Sequence, residues 1–287
     1  MSKRKQSAVC NIQPRRWHHD QYSSIPESDR DLDEGGTTMS DGPQPVMEPS
    51  PRLKWITKML ARVYFKLYHQ FEVLGQEHLP PQPPVFALTN HVSNLDVPAF
   101  ALADPYVGSC LVAKEELTKP PILRQVMASW GAIPVARDGR DSSALREVLR
   151  KLKEGRLVAI ASEGTRHRNG GLGETNPVLA RLAIQASNQG IPLVPVAAVG
   201  TFECLPRGAF IPKPGKVKVL IGPQFSLQHL KGLPKDEAVR QAQIIIRDRL
   251  VIMMETKLPI APAVPLAGAT AAEAPARTNA APSDAAV

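Results

Sequence analysis

Short apolar runs that alternate with amphipathic stretches are the feature that most limits how this chain can fold. Six runs of four to six residues have the composition of buried strands, and longer stretches carry apolar residues at helical spacing. Such alternation predicts an α/β fold with a mostly parallel central sheet flanked by helices. The predicted strands cover residues 85–88, 110–113, 132–136, 157–161, 193–198 and 217–221, and the predicted helices cover 97–103, 120–129, 142–153, 178–189 and 236–255.

The two ends of the 287-residue chain lack such patterns. Residues 1–50 run from a basic start into an acidic stretch with little to bury, which predicts a disordered tail. Residues 259–287 are rich in Ala and Pro and show no periodicity, so we predict a second disordered tail. The folded part is therefore a single domain at 76–258, preceded by an amphipathic helical segment at 51–75.

The charge of the chain suggests an anionic partner. Its formal net charge is +8 and its pI is about 9.5, values that suit a nucleic acid, a membrane surface or a phosphorylated substrate. No apolar segment follows the basic N-terminus, so no signal peptide is predicted, and no apolar run approaches the roughly 18 residues of a membrane span. Three widely spaced cysteines, Cys10, Cys110 and Cys204, form neither a disulfide framework nor a metal signature and favour a reducing compartment.

Residues 52–71 form the clearest amphipathic pattern in the chain. On a helix the apolar residues fall within an arc of about 100°, and basic residues recur at every fourth position opposite them. This pattern is typical of a helix in the headgroup region of an anionic bilayer. The alternative is a surface helix whose apolar stripe packs on the core, and one helix can do both. The residues predicted to bind the membrane are Lys54, Lys58, Arg62 and Lys66 on the basic side, with Leu60 and Leu67 on the apolar side.

A histidine and an aspartate lie five positions apart just after the first predicted strand. On a regular helix two such residues diverge by about 140°, so His91 and Asp96 can face each other only across a turn. There Asp96 would accept a hydrogen bond from one ring nitrogen of His91 and leave the other nitrogen as a base. The alternative is a pair of ordinary polar residues that cap the start of a helix.

Polar residues also follow two other predicted strands. Arg137 follows the third strand, and Glu163, Gly164, Thr165 and Arg166 follow the fourth. The ligand crevice of a parallel sheet lies beyond the carboxyl ends of its strands, so these residues are candidates for substrate binding. A solvated surface charge is the alternative for each arginine.

Four blocks of sequence, in order, resemble those of the glycerolipid acyltransferases, and most of all those of bacterial 1-acylglycerol-3-phosphate O-acyltransferases. They are residues 90–96 (NHVSNLD), 131–137 (GAIPVAR), 163–166 (EGTR) and 194–196 (VPV), and the similarity covers residues 60–225. The chain departs from the family at residues 175–178 (TNPV), where a Lys followed by a small residue is common. This departure leaves the phosphate contacts and the acceptor open.

The resemblance implies an O-acyltransferase of phospholipid biosynthesis, with 76–258 as its acyltransferase domain. The donor would be an acyl thioester of CoA or of acyl carrier protein, and the acceptor would be 1-acylglycerol-3-phosphate, which gives phosphatidic acid. Another lysophospholipid or glycerol 3-phosphate is the alternative acceptor. No metal is expected, and no cofactor besides the acyl donor. With the interfacial helix, the resemblance implies a peripheral protein at the cytoplasmic face of the cell membrane.

The residue chemistry agrees with acyl transfer. Transfer to a hydroxyl needs a base, for which His91 is the candidate, with Asp96 as its orienting partner. No nucleophilic Ser or Cys is required, and the absence of a G-x-S-x-G sequence argues against an acyl-serine hydrolase.

The acceptor side of the reaction needs fixed cations. Arg137 and Arg166 offer fork-shaped donors that suit phosphate oxygens. Glu163 would bind an acceptor hydroxyl or hold Arg166, and Gly164 would allow close approach of the backbone.

Two other classes of protein compete with this interpretation. A basic chain suits nucleic-acid binding, but the folded region has few aromatic residues to stack on bases, and its basic helix carries an apolar stripe. A non-catalytic lipid-binding relative is the other alternative, and the presence of both His91 and Asp96 argues against it.

Overall fold

A computed structural model of the chain describes residues 50–114, 120–135, 142–164 and 170–260. Apart from residues 50, 259 and 260, the two tails predicted to be disordered lie outside these ranges. Within them, no helix is both long enough and apolar enough to span a membrane.

A seven-stranded sheet forms the centre of the molecule, in the order β1-β7-β6-β2-β5-β3-β4. Neighbouring strands are parallel except for β6 and β7, which are antiparallel. A mostly parallel sheet flanked by helices confirms the predicted fold class. The strands are β1 (Glu72–Leu74), β2 (Val85–Thr89), β3 (Cys110–Lys114), β4 (Ala132–Val135), β5 (Leu157–Ala161), β6 (Leu193–Val199) and β7 (Lys218–Ile221).

Helices cover both faces of the sheet, so β2 in its middle is buried along its whole length. Phe86 and Leu88 of this strand face one helical layer, whereas Val85 and Ala87 face the other. The first layer contains α4 (Ser142–Lys153), α5 (Pro177–Asn188) and α7 (Lys235–Thr256). The second contains α1 (Pro51–Tyr68), α2 (Asp96–Ala103) and α3 (Pro121–Ser129), and a single turn, α6 (Thr201–Cys204), follows β6.

The observed elements differ from the prediction mainly where an element is very short. The predicted strands and the helices from residue 97 onward are all present among the described residues, with ends shifted by one residue at most where the structure describes them. The amphipathic helix predicted at 52–71, in the segment 51–75, is shorter than expected: α1 ends at Tyr68, and β1 occupies Glu72–Leu74. The strand β1 and the single-turn helix α6 were not predicted, because three or four residues are too few to establish a period. Pairing with β7 makes β1 a strand, which is a tertiary contact that no local pattern contains.

The orientation of α1 answers the question that its sequence left open. Its inward side carries Thr57, which accepts a hydrogen bond from Trp130 Nε1 at 2.8 Å, and the buried Phe65. Its apolar stripe points away from the core, and the side chains of Trp55 and Leu67 are 65% and 79% exposed. The apolar stripe of α1 therefore does not pack on the core of this chain.

This orientation separates the four basic residues that were grouped as a membrane-facing set. Arg62 and Lys66 are exposed, as that assignment requires. Lys54 and Lys58 are partly buried and line a cleft beneath the helix, where Lys58 Nζ donates to the carbonyl oxygen of Asp104 at 3.3 Å. The difference arises because a sequence pattern groups residues on one face without showing what that face meets.

Candidate active site

A buried carboxylate organises the turn that follows β2. Oδ2 of Asp96 lies 3.0 Å from Nδ1 of His91, and it also accepts hydrogen bonds from the backbone amides of Val92 at 2.7 Å and Ser93 at 2.8 Å. Asp96 is the first residue of α2 and is completely buried. The N-terminus of a helix carries a partial positive charge, which stabilises a carboxylate at that position. The structure thus brings His91 and Asp96 together across a turn.

The partners of Asp96 determine which nitrogen of His91 carries the proton. A carboxylate oxygen accepts hydrogen bonds, so Nδ1 is assigned as the donor in the neutral ring. Nε2 is then left with a free lone pair, which is the form that a general base requires. The His91 side chain is partly exposed and lines the cleft, so this base is accessible to a substrate.

Two further side chains fix the turn to the rest of the fold. The amide of Asn90 donates to the carbonyl oxygen of Ala198 at 2.9 Å and accepts from the backbone N–H of that residue at 2.8 Å. Ser93 Oγ donates to the carbonyl oxygen of Leu205 at 2.8 Å and accepts from the amide of Leu95 at 3.2 Å. The sequence alone did not indicate these roles of Asn90 and Ser93, because Ala198 and Leu205 lie more than 100 residues away in the chain.

Glu163 lies beside the same turn because β5 is the neighbour of β2. Its Oε1 accepts from the backbone amide of His91 at 3.3 Å, and its Oε2 accepts from the amide of Gly173 at 2.9 Å. Its side chain is only 7% exposed. The carboxylate thus joins the His91 turn to the segment that precedes α5. Gly164 follows with a φ of 69°, a left-handed conformation that glycine adopts without strain.

Three of the predicted substrate-binding residues, Arg137, Thr165 and Arg166, lie outside the described residues. Arg137 follows β4, and β4 is three strands away from β2 in the sheet order. That separation corresponds to about 14 Å at the usual spacing between strands. Of the predicted site residues, Arg137 therefore follows a strand well apart from β2, whereas Glu163 and Gly164 follow its neighbour β5.

A largely apolar cleft lies between α2 and the sheet, with His91 at one end. It runs along β5 from Ala161 at the carboxyl end to Leu157 at the amino end, a length of about 13 Å at the rise of a strand. Its volume is about 710 Å³, including the part open to solvent. Its apolar lining includes Val97, Phe100, Ala101, Leu111, Val112, Trp130, Leu157, Ala159 and Ala161.

The end of the cleft away from His91 is polar. Lys54, Lys58 and Asp104 line it, and Lys58 is bonded to the backbone of Asp104 as described above. Burial lowers the pKa of the Lys58 ammonium, and the Asp104 carboxylate opposes this shift. Burial also raises the pKa of Asp104. Within the described part of the chain, no group of three or more His, Cys, Asp or Glu side chains is placed to hold a metal ion.

The residues that form this site are similar in sequence to a known protein family. A family model described as Acyltransferase matches residues 70–199, a stretch that contains the His91 turn, the cleft strands β3 and β5, and Glu163. Residues 70–199 thus form a domain similar to those of the glycerolipid acyltransferase family. The family predicted from the four sequence blocks is thereby confirmed.

Proteins similar to this chain occur in plants and bacteria. A chloroplastic 1-acyl-sn-glycerol-3-phosphate acyltransferase of Brassica napus is 28% identical over 171 residues, which cover 58% of this chain and 48% of that protein. The 1-acyl-sn-glycerol-3-phosphate acyltransferase of Pseudomonas aeruginosa is 29% identical over 173 residues, which cover 59% of this chain and 62% of that protein. The chain therefore spans about half to two thirds of the length of these two relatives.

A solved structure has the same fold as this chain. The crystal structure of the 1-acyl-sn-glycerophosphate acyltransferase from Thermotoga maritima matches with a TM-score of 0.54 and 23% sequence identity. The match covers 68% of this chain and 77% of that one. It agrees with the α/β architecture described above.

Proposed function

We propose that the protein transfers a fatty acyl group from an acyl thioester to the free hydroxyl of 1-acylglycerol-3-phosphate, which gives phosphatidic acid. The observation that carries this proposal is the His91–Asp96 pair, with a free Nε2 at the end of an apolar cleft. The choice of acceptor is supported by relatives that are named 1-acyl-sn-glycerol-3-phosphate acyltransferases.

The reaction proceeds in one transfer, without an acyl-enzyme intermediate. Nε2 of His91 removes the proton from the acceptor hydroxyl while the hydroxyl oxygen attacks the thioester carbonyl carbon. The attack forms the new C–O bond and gives a tetrahedral intermediate, which collapses as the carbonyl re-forms and the C–S bond breaks. The departing thiolate takes the proton from His91 and leaves as the free thiol. Asp96 stabilises the positive charge that His91 carries between these two steps.

The cleft suits the acyl chain of the donor. Most of its lining is apolar, and His91 lies at one end, so a chain that enters the cleft places its thioester carbonyl beside the base. Burial of the chain is favourable by about 0.8 kcal/mol per methylene group. The donor is an acyl-CoA or an acylated carrier protein, and it is a co-substrate, with no further cofactor.

We assign binding of the acceptor phosphate to Arg137 and Arg166, together with Thr165, which precedes Arg166 in the sequence. Guanidinium groups bind phosphate oxygens in a bidentate manner, which combines charge with geometric selection. Glu163 shapes this side of the site because its two oxygens accept hydrogen bonds from the backbone amides of His91 and Gly173, and Gly164 allows close approach of the backbone.

An assay with a panel of substrates tests the reaction. Purified protein is given acyl-CoA or acylated carrier protein, and its acceptors are 1-acylglycerol-3-phosphate, other lysophospholipids and glycerol 3-phosphate. We expect the largest kcat/KM for 1-acylglycerol-3-phosphate. A faster reaction with another acceptor would reassign the substrate. If no combination of donor and acceptor gives an ester product, the proposed acyltransferase activity is wrong.

Replacement of Glu163 by Gln separates a positioning role from direct acceptor binding. The amide loses one of the two charge-assisted bonds to backbone N–H groups, each of which contributes about 1.5–3 kcal/mol. We therefore expect kcat to fall about tenfold or more while the KM for the acceptor stays near its original value. The exposed neighbour Glu174→Gln is the matched control. A rise in acceptor KM with unchanged kcat would instead assign Glu163 to the acceptor itself.

We further propose that α1 lies on the cytoplasmic face of the membrane and brings the site to a lipid acceptor. Its exposed apolar side, which includes Leu60 and Leu67, suits burial at the boundary between headgroups and acyl chains. The exposed Arg62 and Lys66 add about 1 kcal/mol each on anionic lipid. Lys54 and Lys58 are partly buried and line the cleft, so they are not part of the membrane contact.

The double variant Leu60→Glu/Leu67→Glu tests this contact. Both side chains are exposed, so the fold should remain intact while binding to anionic vesicles falls by about tenfold or more, because binding follows the apolar area that is buried. Vesicle flotation measures the effect. The control is Ile244→Glu/Ile252→Glu, which places the same charges on exposed positions of α7 across the sheet. Equal loss in both double variants would show that charge alone, and not this face, governs binding.

A further inference from the structure

The loop of residues 205–216, between α6 and β7, exposes an unusual pair of side chains at its tip. Phe210 is 95% exposed and Ile211 is 82% exposed, more than any other large apolar residue in the part of the chain that the structure describes. Two adjacent apolar residues held in water are unfavourable, and exposed apolar groups that form a patch mark a surface of interaction.

The 205–216 loop holds these residues in place through backbone contacts near its base. The amide of Lys213 donates to the carbonyl oxygen of Cys204 at 2.7 Å, and the amide of Ala209 donates to the carbonyl oxygen of Pro206 at 3.0 Å. Prolines at positions 206, 212 and 214 restrict the backbone further. The exposed pair is therefore presented on a closed, restrained loop.

The same loop is joined to the carboxyl end of α1. The hydroxyl of Tyr68 donates to the carbonyl oxygen of Pro212 at 3.1 Å, and the amide of Gly215 donates to the carbonyl oxygen of Tyr68 at 3.4 Å. Leu67, the neighbour of Tyr68, belongs to the exposed apolar side of α1. The tip of the loop and the apolar side of α1 thus belong to one connected part of the surface.

The charge of the 205–216 loop indicates what kind of partner this surface binds. Arg207 and Lys213 lie on either side of the apolar tip, and the loop contains no acidic residue. Lys216, at the end of the loop, is paired with Glu72 at 3.1 Å. An apolar tip flanked by cations matches a bilayer with anionic headgroups, in which the apolar groups enter the acyl boundary and the cations remain at the phosphates.

We propose that Phe210 and Ile211 insert into an anionic membrane as a second contact, beside α1. This inference rests on the membrane contact proposed for α1 and extends it to a separate element. The loop also begins at Leu205, whose carbonyl oxygen holds Ser93 in the His91 turn. Two membrane contacts, one on each of two connected elements, fix the rotation of the enzyme on the surface, whereas a single helix leaves it free to roll about the helix axis.

Vesicle flotation with Phe210→Glu/Ile211→Glu tests the proposal. Vesicles of phosphatidylcholine alone are compared with vesicles that also contain phosphatidylglycerol, and the α1 variant Leu60→Glu/Leu67→Glu and the α7 control Ile244→Glu/Ile252→Glu are measured beside it. We expect the loop variant to reduce partitioning onto anionic vesicles by about tenfold or more, and the α7 control to retain it. Partitioning equal to that of the unmodified protein would overturn the loop contact.

Other outcomes separate this inference from the proposals on which it rests. Loss in the α1 variant alone keeps α1 as the membrane contact and removes the loop. An unmodified protein that binds neither type of vesicle overturns both membrane contacts. Transfer to a soluble short-chain acceptor, measured on the same samples, tests the reaction independently, because it needs no vesicle. A dimer of the unmodified protein that the loop variant converts to a monomer would assign the tip to a second copy of the chain and overturn the lipid assignment.

A direct measurement of insertion uses Phe210→Trp, a conservative change at an exposed site. Vesicles with brominated acyl chains quench a tryptophan that enters the acyl region. The unmodified protein, with Trp17, Trp55 and Trp130, gives the background. We expect additional quenching in the Phe210→Trp variant, and quenching equal to the background would contradict insertion.

Discussion

Replacement of His91 by Ala is expected to lower kcat for acyl transfer by at least about 10²-fold, the usual contribution of a positioned general base. The substituted side chain cannot accept the hydroxyl proton or return it to the departing thiolate. Because His91 is partly exposed and its side chain is bonded only to Asp96 among the contacts described for it, the fold should persist. Initial rates at saturating donor and acceptor measure the effect.

The control for this change is His229→Ala, which removes an exposed imidazole far along the chain. It should leave kcat near its original value. Circular dichroism and thermal unfolding of both variants establish that each is folded. Near-normal transfer by folded His91→Ala would exclude His91 as the base and leave the lipid-binding alternative as the better description of the protein.

Asp96→Asn is expected to lower kcat strongly, but by no more than His91→Ala does, because the variant keeps the imidazole and loses only its orienting carboxylate. Asp96 accepts from the ring of His91 and from two backbone amides through a single oxygen. The neutral amide holds these donors less strongly and does not stabilise the imidazolium. If its NH₂ group turns toward the ring, it also favours the wrong tautomer.

Asp96→Asn should also lower the free energy of unfolding, by about 1–3 kcal/mol, because the carboxylate is completely buried and its hydrogen bonds hold the turn. Chemical denaturation measures this loss, and Asp236→Asn, at an exposed position in the first turn of α7, is the control. A variant with reduced stability and unimpaired kcat would make Asp96 a structural residue of the turn. Reduced kcat with full stability would make orientation of His91 its main role.

Comparison of His91→Ala with Asp96→Asn also distinguishes the role of the base from that of its orienting partner. Loss of His91 removes proton transfer at every pH, whereas Asp96→Asn retains an imidazole of altered tautomer and orientation. A pH profile of kcat/KM should therefore lose the limb on the acidic side, where activity rises with pH, in His91→Ala and keep a weakened rise in Asp96→Asn. Identical profiles in the two variants would contradict the separate roles.

The order of strands and helices could be predicted from the sequence because it depends on local periodicity. Apolar runs such as 157–161 are long enough to show their character, and the observed strand has those bounds. The His91–Asp96 contact belongs to the same class, since both residues and the two amides that share the carboxylate lie within six consecutive positions. Contacts of this range follow from the spacing of residues and the geometry of a turn.

Other features depend on contacts between distant parts of the chain, and these features could not be predicted from local sequence patterns. The amphipathic pattern of α1 groups its residues correctly, yet only packing against Trp130 and Asp104 turns Thr57 and Lys58 inward and the apolar stripe outward. Glu163 reaches the His91 amide because β5 lies beside β2, an order that parallel pairing decides. Periodicity determines which side chains share a face, and the tertiary structure determines what that face meets.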